Sequence, residues 1–115
     1  MIKIATVLAV LALPVVAKAD PTFGYQGASG ILSPRSYSTH TVLLNGGETT
    51  RFDVVGSGNT DIDCYLYDHN GALVGEDVDD TATCQIYVRP LYSAIFTIKV
   101  SNVGSYRTSY TASAQ

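Results

Sequence analysis

Basic residues are scarce and scattered in this 115-residue chain, with seven Lys and Arg against ten Asp and Glu and no cluster of either cation. Nucleic acids and anionic membrane surfaces are met by grouped Lys and Arg, so neither is an expected partner. Histidine is scarcer still, at two positions, His40 and His69. His40 opens a β-rich run and His69 falls in a tight turn, so both read as solvent-exposed. No G-x-S-x-G elbow occurs, because Gly27-Ala28-Ser29-Gly30 lacks that spacing. Glycine-rich phosphate loops, zinc motifs and cofactor signatures are likewise missing. The chain is therefore expected not to be an enzyme and to need no organic cofactor. A hydrolase would have to assemble its site from residues distant in sequence.

A helical period is lacking after residue 19, which excludes an α-helical domain. Only one long apolar run exists, from Ile4 to Val16, broken by Thr6 and Pro14. It falls short of the roughly 20 residues that span hydrocarbon. Lys3 precedes it and Ala17-Lys18-Ala19 follows in a small-x-small pattern, so residues 1 to 19 read as an export signal cleaved before Asp20. Cleavage removes Lys3 and Lys18, leaving five basic residues against ten acidic ones and moving the formal charge from −3 to −5. The expected location is the periplasm or exterior of a bacterium, without membrane insertion.

What remains is long enough for one domain with a modest core. Cys64 and Cys84 are its two cysteines. In an oxidising compartment a disulfide is the expected state, since two thiolates without nearby histidines make a poor zinc site. Asp20 to Ser38 is rich in Gly, Ser and Pro and reads as irregular, with room for one strand near Ala28 to Leu32. From Thr39 onward short β-rich runs alternate with turns such as Asn45-Gly46-Gly47 and His69-Asn70-Gly71. Asp61 to Asp68 alternates most regularly, with Ile62, Cys64 and Leu66 on one face and Asp61, Asp63, Tyr65 and Tyr67 on the other. Thr83 to Arg89 sets Cys84, Ile86 and Val88 against Gln85, Tyr87 and Arg89. Both cysteines thus face inward. Gly75 to Ala82 reads as an acidic loop between these runs. The whole is expected to be an all-β antiparallel sandwich of about seven or eight strands over residues 39 to 115, held by one disulfide.

Gly46-Gly47-Glu48 with Phe52, Asp61-Ile62-Asp63, and Tyr67-Asp68 with Gly71 form one series of marks. Val88-Arg89-Pro90, Ala94 to Val100, and Tyr110-Thr111 continue it. In this order they resemble the bacterial pre-peptidase C-terminal domain, a relative of the collagen-binding domains of collagenases. The resemblance runs from about His40 to Ala112. It implies a jelly-roll-like sandwich, and departs from the family where Ala94 and Phe96 replace the usual Gly and Tyr. The export signal runs almost directly into the sandwich, so a role as passenger of a peptidase is not carried over.

Two groups of residues are candidates for function. Asp61, Asp63, Glu76, Asp77, Asp79 and Asp80 are rich in oxygen, and calcium takes six to eight oxygen ligands. Their spacing is not that of an EF-hand loop. Tyr65, Tyr67 and Tyr87, with Arg89, are read as outward-facing on two strands taken to be neighbours. Tyrosine joins a flat apolar ring to a polar tip, which suits a protein or carbohydrate ligand. The expected function is therefore a non-catalytic binding or accessory module. A calcium-stabilised structural protein serving a secreted enzyme is the first alternative, and a small hydrolase with a spatially assembled site is the second.

Overall fold

The computed structural model describes the backbone of Ala19–Asp20 and residues 27–115. The export signal expected over residues 1 to 19 falls, up to residue 18, outside the described residues. Eight antiparallel strands follow: β1 (Ala28–Leu32), β2 (Ser36–Leu44), β3 (Thr50–Gly56), β4 (Ile62–Tyr67), β5 (Leu73–Asp77), β6 (Thr83–Val88), β7 (Ala94–Asn102) and β8 (Thr108–Ala114). No helix occurs among the described residues.

Period-2 alternation decides what each strand buries. In β4 Ile62, Cys64 and Leu66 are buried while Asp63, Tyr65 and Tyr67 are not. The apolar run of β7 obeys the same rule, burying Phe96, Ile98, Val100 and Asn102 and turning Ile95, Thr97, Lys99 and Ser101 outward. The inward sets meet between two sheets, with Phe52, Ile62, Leu66, Ile98 and Val100 at the centre. Each such side chain stabilises the fold by roughly 2 kcal/mol relative to exposure.

The first sheet has the order β1-β8-β3-β6 and the second β2-β7-β4-β5. Ala19 and Asp20 add a short parallel pairing to β2 opposite Thr39 and His40. Every connection passes from one sheet to the other except the β4–β5 hairpin, which gives the jelly-roll arrangement. Cys64 of β4 and Cys84 of β6 form a disulfide across the core, with Cα atoms 6.2 Å apart.

Two strands extend beyond their sequence marks. β2 begins at Ser36 and pairs with β7 along its whole length, so residues read as irregular are sheet. Gly75, Glu76 and Asp77, expected in an acidic loop, continue β5 opposite Leu66, Tyr65 and Cys64. The reason is that β5 is an edge strand, where charged side chains cost little because they reach solvent, and they protect the edge. The β4–β5 register shifts at Leu66/Tyr67.

Candidate functional site

The outer face of the second sheet carries a connected group of side chains. Tyr65 of β4 lies opposite Lys99 of β7, and Tyr37 of β2 lies opposite Ser101, one step diagonally from Lys99. The Lys99 ammonium stands 4.4 Å from the ring centroid of Tyr37 and 5.4 Å from that of Tyr65. A cation over two ring faces is held there by the ring quadrupoles. Further along, Tyr67 lies opposite Thr97, beside the exposed cross-strand pair Leu43 and Ile95. Burial raises the Tyr65 hydroxyl pKa, helped by the negative charges of Asp63 and Glu76 and by Tyr67.

Tyr87 is not part of this group. β4 and β6 belong to different sheets, and their inward faces are joined by the disulfide. Their outward tyrosines therefore point to opposite sides of the sandwich. The expectation that they share one face fails because alternation fixes inside and outside but not which strands are neighbours. On its own side Tyr87 pairs in register with Arg51. Arg51 donates to Asp53 at 2.6 Å, and Gln85 donates to the other Asp53 oxygen at 3.1 Å. Burial opposes ionisation of Asp53, but the Gln85 and Arg51 hydrogen bonds outweigh it and hold the carboxyl below its usual range. Arg89 is exposed at the end of β6 beyond these residues.

The acidic residues separate by task. Asp77 accepts the Gln85 N–H at 2.8 Å, tying the edges of the two sheets together. Asp79 accepts both the Thr81 N–H and its hydroxyl, which lowers its pKa. Asp80 is exposed. Asp61 and Asp63 each hold one buried carboxylate oxygen without a hydrogen-bond partner among the described residues. The Asp63 pKa is raised, first by burial and then by the charges of Asp61, Asp79, Asp77 and Glu76. Among the described residues no three His, Cys, Asp or Glu side chains stand in a geometry that could hold a metal ion. Two of the six expected calcium ligands are instead engaged with backbone N–H groups.

His40 departs from its reading as a solvent-exposed residue. It is buried in the middle of β2, and its Nε2 lies 2.6 Å from the Tyr110 hydroxyl on β8. The same hydroxyl hydrogen-bonds Ser38, so three polar groups tie the two sheets together inside the core. His69 is exposed as expected and meets the edge of Tyr92, with ring centroids 5.8 Å apart.

The fold is that of a pre-peptidase C-terminal domain. The solved pre-peptidase C-terminal domain of a Bacillus anthracis collagenase matches with a TM-score of 0.63, covering 88% of this chain and 98% of that one at 10% identity. A periplasmic inhibitor of g-type lysozyme from Aeromonas hydrophila, PliG, gives 0.48, with 84% and 96% covered at 17% identity. The sequence matches no protein-family model and no curated protein. The likeness to the pre-peptidase C-terminal fold, first carried by short marks from Gly46 to Thr111, thus holds at the level of architecture.

Tyr37, Lys99, Leu43 and Ile95 were missed in the sequence. Tyr37 sat in a stretch read as irregular. Lys99 was hidden in an apolar run, although a lone cation at an alternating position there marks an outward face.

Proposed function

We propose that this protein is a non-catalytic, exported binding module whose ligand is a protein docking on the outer face of the second sheet. The observation that carries the reading is Lys99 seated over Tyr37 and Tyr65 beside the exposed Leu43–Ile95 pair. Tyrosine is enriched among the hot spots of protein interfaces, and apolar neighbours such as Leu43 and Ile95 exclude water around them. A carbohydrate is the weaker fit, because sugars stack on open ring faces and Lys99 covers those of Tyr37 and Tyr65. The disulfide supports export, since such bonds persist in oxidising compartments.

Photo-crosslinking tests this directly. A benzoylphenylalanine side chain replaces Tyr37, Tyr67 or Tyr87 in turn, and the protein is irradiated in the envelope fraction. The expected result is one common protein adduct from the first two positions and none from the third. Equal trapping from all three positions, or binding to a glycan panel that Tyr65→Ala abolishes, overturns it.

A further inference from the structure

The sandwich is closed unevenly along the edge where β5 of one sheet approaches β6 of the other. Near the disulfide the two edges are drawn together by the Asp77 carboxylate on the Gln85 N–H. Gly75 belongs to the same approach, since a Cβ there would stand 2.7 Å from Ile86 Cγ2. Past the register shift at Leu66/Tyr67, a groove of about 280 Å³ opens at the end of the sandwich. Its walls include Val74 of β5 and Val88 of β6, with Ala94 and Phe96 of β7. The 89–93 loop forms one side through Leu91 and Tyr92. Leu91 is 95% exposed and Tyr92 60%, although both are apolar enough to bury.

That loop is braced rather than loose. Gly47 donates its N–H to Pro90 O at 2.7 Å, and Gly46 donates to the Ser93 hydroxyl at 3.0 Å. A Cβ on Gly46 would lie 2.4 Å from Tyr92 Cα, so only glycine permits this approach. The groove is therefore present before any ligand arrives, which lowers the entropy cost of binding.

Its polar rim is Arg89, Asp68 and His69. Asp68 accepts the N–H groups of Asn70 and Ala72 on one oxygen, which ties it to its own turn. Arg89 has no ion pair or hydrogen bond among the described residues. An unengaged guanidinium at the mouth of an apolar groove matches a single carboxylate with an apolar tail, because its fork meets both oxygens. The volume lies at the small end of ligand sites, about 300 Å³, which suits a chain of limited length.

We propose that this groove is a second binding site, separate from the tyrosine face, for a medium-chain aliphatic carboxylate: the tail lies between Val74 and Val88, and the carboxylate meets Arg89. The test titrates the purified protein with hexanoate, octanoate and decanoate, and with decanol and decylamine, by calorimetry and amide chemical-shift mapping. The expected result is a set of shifts confined to Val74, Val88, Leu91 and Tyr92. Affinity rises about fourfold per methylene until the groove is filled. Arg89→Gln weakens carboxylates at least tenfold and leaves decanol unchanged. Arg89 is exposed, so this variant keeps its fold, and the unchanged decanol binding verifies that.

Failure to bind decanoate overturns the proposal, as does binding of decylamine or decanol as tight as decanoate. Shifts centred on Tyr37 and Tyr65, or carboxylate affinity indifferent to Arg89→Gln, overturn it as well. The crosslinking result on the tyrosine face is independent of all these outcomes.

Discussion

Asn102 shows how much one polar side chain can hold. It is fully buried at the end of β7, and its amide nitrogen donates to the carbonyls of Leu32, Ser33 and Tyr106, at 3.2, 3.3 and 2.8 Å. Its oxygen accepts the Gly104 N–H at 3.0 Å. Buried carbonyls left without donors each cost about 1–3 kcal/mol. Asn102→Ala is therefore expected to destabilise the protein by about 3 kcal/mol in urea unfolding. Asn102→Asp, of the same shape but without the donors, should be no better, and a native-like midpoint for either variant contradicts this account. The sequence marked Asn102 in no way beyond following an apolar strand, because two of its partners, the Leu32 and Ser33 carbonyls, lie about 70 residues earlier. His40 was misread for the same reason: its partner Tyr110 is equally remote. Cys64 and Cys84, by contrast, could be placed inward from their neighbours alone, since burial in a strand is a local alternation.

The paired strands β4 and β5 form an acidic corner whose charge is poorly compensated. Burial and four neighbouring carboxylates raise the pKa of Asp63. The folded state therefore binds that proton more tightly than the unfolded chain does. Between the ordinary carboxylate value and the raised one, stability falls as pH rises, because the native state holds more protons there. Above that window the charged Asp63 weakens the fold. Asp53 and Asp79, with lowered pKa values, act in the opposite sense, and their contribution is lost as pH falls through those values. Asp63→Asn should raise the melting temperature at neutral pH and remove the part of the acid-side profile that rises on acidification. A variant melting below the parent at pH 7, or an unaltered profile, contradicts this. The corner was only half legible. The acids were visible as a cluster, but the extension of β5 through Asp77 depends on backbone pairing with β4, which composition does not report.

Across the whole molecule, alternation gave inside and outside, and the short family-like marks gave the architecture. Neither said that β4 and β6 face each other across the core. That pairing decides the fate of the tyrosines, and it also gives the disulfide its leverage. The bridge closes a loop with a sequence separation of 20 and joins the two sheets. Loop-closure entropy assigns it about 3 kcal/mol. In a domain of this size, reduction or the Cys64→Ala/Cys84→Ala pair should lower the melting temperature by roughly 15 °C. A shift of only a degree or two means that the sheets hold together by packing alone.

The strand order also bears on how the chain reaches this state. Apart from the β4–β5 hairpin, each strand's sheet neighbours are distant in sequence, and β1 pairs with β8, which follows every other strand among the described residues. Chains dominated by such pairings fold in milliseconds to seconds, more slowly than helical domains of equal stability. The segment from Cys64 to Cys84 contains the hairpin and the approach to β6, so it is the part of the chain that can close early without the termini. The disulfide inside that segment joins β4 to β6, so one short stretch of chain carries a covalent link between the two layers to which the remote strands belong.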